Sequence, residues 1–205
     1  MNPLILGQAI GDAFGAPFEF HANAFSLALT SIEQERYLNA AQDCGSLPER
    51  NRLPGLYTDD TQQALLLLWV FEEMRLRGLD PMNAQAVGKL FLKICKLMSQ
   101  QVSLHPASFG AHRGTGKNFR SSIMQMRAMH TPGLGAAMRV GPVMALLPSE
   151  SDVVPWVTTV SSATTKHPQA LESASCYALA VWQEHHLGKQ NLSRFPQYVE
   201  ALQVL

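Results

Sequence analysis

The chain has 205 residues, 46% hydrophobic and 16% charged, with 16 basic and 16 acidic side chains that leave a formal net charge of zero. That is enough apolar material for one compact domain, and the dispersed basic residues offer no electrostatic footprint for nucleic acid or an anionic membrane surface. Cys44, Cys95 and Cys176 are far apart and lack CxxC spacing, so they read as reduced packing residues. The first apolar segment is interrupted by Gln8 and Asp12, which fits neither a signal peptide nor a membrane span and leaves a cytoplasmic protein as the expectation.

Helical signals dominate in chain order. Residues 3–15 carry apolar positions with Gly7, Gly11 and Gly15 four apart, a smooth stripe that another helix can approach closely. Residues 59–77 read as a second helix closed by Gly78, and Asp80-Pro81 supplies a cap and first-turn proline for a third that ends near 101. A loop with His105 and His112 leads into a helix over 115–129. Residues 133–147 pass from loop to helix, broken in two by Pro142. Residues 152–165 are rich in Val and Thr, but Pro155 favours an irregular helix over a strand. His167-Pro168 opens the strongest late helix, over 168–186 with Gly188 as its stop, and a short helix follows over 195–203. Nothing in this pattern needs a large sheet, so the fold class is all-α.

The most chemically loaded stretch is Tyr57-Thr58-Asp59-Asp60-Thr61-Gln62, two adjacent carboxylates between hydroxyls where an apolar helix begins. Neighbouring carboxylates repel; a helix N-terminus eases this, and a hard divalent ion bound through oxygen eases it further. The plainer alternative is that Asp59 caps the helix and Gln62 completes a capping-box-like pair. Glu19 follows a Gly15-Ala16-Pro17-Phe18 turn that ends the first helix and swings the carboxylate toward the same place, or leaves it as a solvated loop acid. Gly133-Leu134-Gly135-Ala136-Ala137-Met138-Arg139 suits an anion, because glycines admit close approach to backbone N–H groups at a helix start, although such a pair is also an ordinary turn. Arg139 either balances the carboxylates or forms a structural ion pair. His105 and His112 make no metal motif, and Glu184-His185-His186 lacks the His-Glu-x-x-His order of a zinc hydrolase.

Leu6-Gly7-Gln8-Ala9-Ile10-Gly11-Asp12-Ala13-Phe14-Gly15-Ala16-Pro17-Phe18-Glu19, Tyr57-Thr58-Asp59-Asp60-Thr61, Arg113-Gly114-Thr115-Gly116, Gly133-Leu134-Gly135-Ala136-Ala137-Met138-Arg139 and Thr165-Lys166-His167-Pro168 follow one another in an order that resembles the ADP-ribosylglycohydrolase family. That family includes the enzyme that reactivates dinitrogenase reductase. The resemblance implies an all-α domain that hydrolyses the N- or O-glycosidic bond between ADP-ribose and an acceptor. It implies Glu19, Asp59 and Asp60 as catalytic carboxylates, with Thr58, Asp59 and Asp60 as ligands of Mg²⁺ or Mn²⁺. Gly133, Leu134, Gly135, Ala136, Ala137, Met138, Arg139 and His167 then lie along the ADP-ribose, where His167 is otherwise a helix-entry residue bonded to backbone. The partner implied is an ADP-ribosylated protein or a small ADP-ribose-containing molecule.

The sequence departs from the family pattern in two places. Leu134 stands where the family usually has Asn. A second metal-binding segment of Asp-x-Asp-Thr type, usual near the family's C-terminus, does not occur between Asp152 and Leu205. The expectation is therefore a single domain over 1–205, shortened at its C-terminal end, that holds one ion instead of two, or none. A non-catalytic ADP-ribose or nucleotide binder is the alternative. A homodimer covering the face left by the missing helices is a third reading.

Overall fold

The computed structural model describes residues 3–18, 23, 26–29, 34, 55–100 and 115–188. Among these the regular structure is helical, apart from one isolated bridge between Met129 and Thr165. The helices are α1 (Pro3–Gly15), α2 (Asp59–Leu76), α3 (Ala84–Gln100), α4 (Lys117–Gln125), α5 (Ala137–Val140), α6 (Glu150–Ser161) and α7 (Pro168–Leu187). Single 3₁₀ turns follow α1 at Ala16–Phe18 and α5 at Gly141–Leu146. The all-α expectation holds.

Helix α2 is the hub. Its apolar run Leu66, Leu67, Val70, Phe71 and Met74 is buried, and α1, α3, α5 and the 141–146 turn all lie against it. Such burial stabilises each large side chain by about 1.5–3 kcal/mol. The helix stops where expected, at Gly78, whose φ of 68° is open to glycine without strain.

Helix α3 starts three residues later than Asp80-Pro81 suggested. Asp80 instead closes a turn on itself, its carboxylate accepting from the Met82 N–H at 2.9 Å, and Asn83 caps the helix by accepting from the Ala86 N–H at 3.1 Å. Val87, Phe91 and Cys95, at the four-residue spacing of one helix face, then enter the core. Helix α3 crosses α6 at Gly88, where an added Cβ would lie 3.1 Å from the Val160 carbonyl oxygen. Helix α6 runs from Glu150 behind a Ser149 cap and is regular despite Pro155. That residue sits on the exposed face, where water can satisfy the carbonyl its missing N–H leaves behind.

Helix α4 is shorter than the 115–129 expected. Met126 takes a left-handed conformation, φ 53°, and turns the chain so that Met129 pairs with the 164–166 strip: Met129 N–H donates to the Thr164 carbonyl at 3.0 Å, and Lys166 N–H to the Met129 carbonyl at 2.8 Å. The 133–147 passage divides as Pro142 required, α5 giving way to the 3₁₀ turn at Gly141. Helix α7 opens at Pro168 and closes at Gly188. It packs along α6, and Trp182 donates from its indole N–H to the Leu147 carbonyl at 3.0 Å.

The Gly7 and Gly11 stripe meets no described neighbour within 4 Å. Helix α1 instead buries its other side, through Ile5 and Ala13, and turns Gln8 and Asp12 toward α2. The helix expected over 195–203 lies outside the described residues, as do Glu19, His105, His112 and Cys44. No helix among the described residues is long and apolar enough to cross a membrane.

Candidate metal and ligand site at the start of helix α2

A helix start leaves its first backbone N–H groups without intrahelical partners. At α2 these are met by two residues. Thr58 is the N-cap, its hydroxyl accepting from the Asp60 N–H at 3.3 Å. Asp12, reaching across from α1, accepts at Oδ2 from the Thr58 N–H at 2.8 Å, the Thr61 N–H at 3.1 Å and the Thr61 hydroxyl at 2.7 Å. The cap considered for Asp59 is therefore made by others. Asp59 occupies the first helical position and its carboxylate turns along the helix to Gln63, whose amide Nε2 donates to Oδ2 at 2.9 Å. A residue that does no capping is available for other chemistry.

A second polar side chain of α1 joins this helix start to the glycine-containing segment. Gln8 Nε2 donates both to the Asp60 carbonyl, at 3.0 Å, and to the Met138 carbonyl, at 2.6 Å. The two motifs, 78 residues apart in sequence (138 − 60), thus share one donor. In the segment itself Gly133 and Leu134 are exposed, Gly135, Ala137 and Met138 are half-buried, and Ala136 and Arg139 are buried. Helix α5 has only four residues, so the support for an anion there is the Gly133–Gly135 turn rather than a helix terminus. Leu134, 72% exposed, offers an apolar side chain where an amide was expected.

Arg139 points inward and is 1% exposed. Its Nη1 donates to Gln63 Oε1 at 2.9 Å, its Nη2 donates to the Thr164 hydroxyl, and its guanidinium lies 5.2 Å from the centre of the Phe91 ring and 5.3 Å from that of Phe119. Neither role considered for Arg139 is met directly, since both hydrogen-bond partners are neutral. It reaches Asp59 only through Gln63. Thr164 is in turn fixed by donating to the Ser161 carbonyl at 3.2 Å, while its own carbonyl accepts from Ser122 at 2.7 Å. Three residues on, His167 caps α7 without a side-chain cap bond. Its backbone N–H donates to the Thr165 hydroxyl at 3.2 Å, and its Nδ1 is buried with no partner among the described residues.

The electrostatics follow from this burial. Asp59 is 8% exposed, and desolvation, then the charges of Asp60 and Asp12, push its carboxyl up to about 7 against the hydrogen bonds from Gln63 and its own backbone. Burial lowers Arg139 to about 10, which leaves it a cation at neutral pH. Burial raises Cys95 to about 12, so it is a neutral thiol at physiological pH.

Asp59, Asp60 and the Thr58 hydroxyl are hard oxygen donors of the type magnesium and manganese take, and magnesium is commonly held by one or two carboxylates with water completing its shell. Among the described residues no three His, Cys, Asp or Glu side chains gather to hold an ion. The donor chemistry fits one ion with an incomplete protein shell. Gln8, Asp12 and Gln63 were not singled out by sequence reasoning. The available signal for the first two was a pair of polar residues four apart on an otherwise apolar helix, which places them on one face.

The helical domain thus joins an acidic helix start to the Gly133–Arg139 segment. The family model for ADP-ribosylglycohydrolase matches residues 3–203, and the chain belongs to that family. No curated relative matches the sequence.

Proposed function

We propose that the protein is a hydrolase that releases ADP-ribose from an acceptor, with Mg²⁺ or Mn²⁺ held at the start of α2 by Thr58, Asp59 and Asp60. The observation that carries this reading is the joining of the Asp59-Asp60 pair to the Gly133–Arg139 segment through Gln8. A bound ion supplies charge stabilisation and a fixed position for the ribose oxygens. The Gly133-Leu134-Gly135 turn offers backbone N–H groups to the diphosphate, and His167, at the entry to α7, takes the ribose side.

In the reaction, a water attacks the anomeric carbon of the ribose while the bond from that carbon to the acceptor nitrogen or oxygen breaks. The water's proton passes to a carboxylate of the Asp59-Asp60 pair or to Glu19, and the acceptor leaves with a proton in return. The contribution of Glu19 rests on the family motif alone.

The test is ADP-ribose release from arginine-modified and serine-modified proteins with Mn²⁺ or Mg²⁺ present. Release from one of these that disappears in Asp59→Ala and in chelator supports the hydrolase. ADP-ribose binding without turnover, unchanged by chelator, would favour the binder instead.

A further inference from the structure

We propose that Gln63 and Arg139 act together as positioning residues that hold Asp59 for its ion, an inference that rests on the metal-assisted reading above. Arginine only donates, so the amide atom facing Arg139 Nη1 at 2.9 Å must be the oxygen of Gln63, and its NH₂ group must face the other way. One helical turn earlier lies Asp59 Oδ2, at 2.9 Å from that NH₂. The amide orientation of Gln63 is therefore dictated by the guanidinium, and with it the rotamer of the carboxylate.

The guanidinium is itself held firmly. Thr164 takes its second nitrogen, and the rings of Phe91 and Phe119 flank it. Gln63 and Arg139 are each 1% exposed, so water does not compete to turn the amide over. The arrangement fixes Oδ2 of Asp59, and Oδ1 is the oxygen that would take the ion.

The neutral amide also has an electrostatic consequence. A buried arginine in direct contact with Asp59 would pair with it and compete with a divalent cation. With Gln63 between them, the cation orients the acid without neutralising it. Oriented ligands of this kind typically lose about 10–100-fold in metal affinity when their hydrogen-bond partner is removed.

The experiment is calorimetric Mn²⁺ titration of the full chain and of Gln63→Leu, Arg139→Lys and Asp59→Ala, each at a temperature well below its measured Tm. Gln63→Met replaces Gln63→Leu where the latter does not fold. Expected are binding by the parent, loss in Asp59→Ala, and weakening by about 10–100-fold in the Gln63 variant. Arg139→Lys should weaken binding in the same direction, because a single ammonium lacks the planar fork whose two nitrogens reach Gln63 and Thr164 in fixed directions. A Gln63 variant with lowered Tm but parental Mn²⁺ affinity would reduce the pair to a core contact and overturn the positioning role alone. A parent that binds no Mn²⁺, or an Asp59→Ala variant that binds as the parent does, would overturn the metal reading and this inference together.

Discussion

Asp59 is a carboxylate that folding moves from water into the company of two other acids. Its pKa rises from 3.8 to about 7, so between those values the folded state holds a proton that the unfolded state has lost. Stability contributed by this group therefore falls as pH rises from about 4 to 7 and stays low above that, with a total on the order of 4 kcal/mol. The expected outcome is that Asp59→Asn, in chelator, exceeds the parent in stability by about 2–4 kcal/mol at pH 8 and equals it at pH 4. Denaturant unfolding at the two pH values measures this. A difference that does not change with pH would mean that Asp59 ionises as it does in water. The acid pair itself stood out in the sequence, as adjacent carboxylates at the head of an apolar run, with a helix cap as the plainer reading. Its supports did not: Gln63 lies inside that helix as one of two consecutive glutamines, and only the fold brings Arg139 to it from 76 residues away.

At the scale of the helices, glycine serves two opposite purposes. Gly88 lets α3 and α6 touch, and the Cβ of Gly88→Ala would press on the Val160 carbonyl at 3.1 Å and the Ala163 methyl at 3.2 Å. The gain in helix propensity, about 1 kcal/mol, is outweighed by overpacking of about 1–3 kcal/mol, so Gly88→Ala should lower Tm. Gly7 and Gly11 are exposed and meet no described neighbour, so each alanine substitution there should raise stability by about 0.5–1 kcal/mol. Thermal unfolding of the three variants checks both signs. Among the described residues no neighbour uses the glycine stripe; four-residue periodicity shows which residues share a face and not whether a neighbour packs there. Helix existence followed from apolar periodicity and from Gly78, Pro142, Pro168 and Gly188. The starts and stops that moved, at Asn83 and Met126, depended on a choice between two adjacent caps and on a left-handed residue that is not glycine.

For the whole molecule, α1 carries little of the apolar core yet organises the site, since Gln8 joins the start of α2 to Met138 and Asp12 fastens α1 to that same helix start. Asp12→Ala should loosen α1 from the start of α2. It leaves the Thr58 and Thr61 donors without their carboxylate, with an expected loss of about 1–3 kcal/mol read by denaturant unfolding. The order of motifs was legible as a family pattern. Which of its side chains meet one another was not, because those contacts link residues far apart in sequence.

On the proposed function, the acid pair and the glycine turn form one site for an ion and ADP-ribose. This is tested most directly by measuring ADP-ribose affinity calorimetrically with and without Mn²⁺, in the parent and in Asp60→Ala. Ligands that share a site and contact each other must be thermodynamically linked. Tighter ADP-ribose binding with Mn²⁺ is expected in the parent and no such gain in Asp60→Ala; equal affinity with and without the metal in the parent would contradict a shared site.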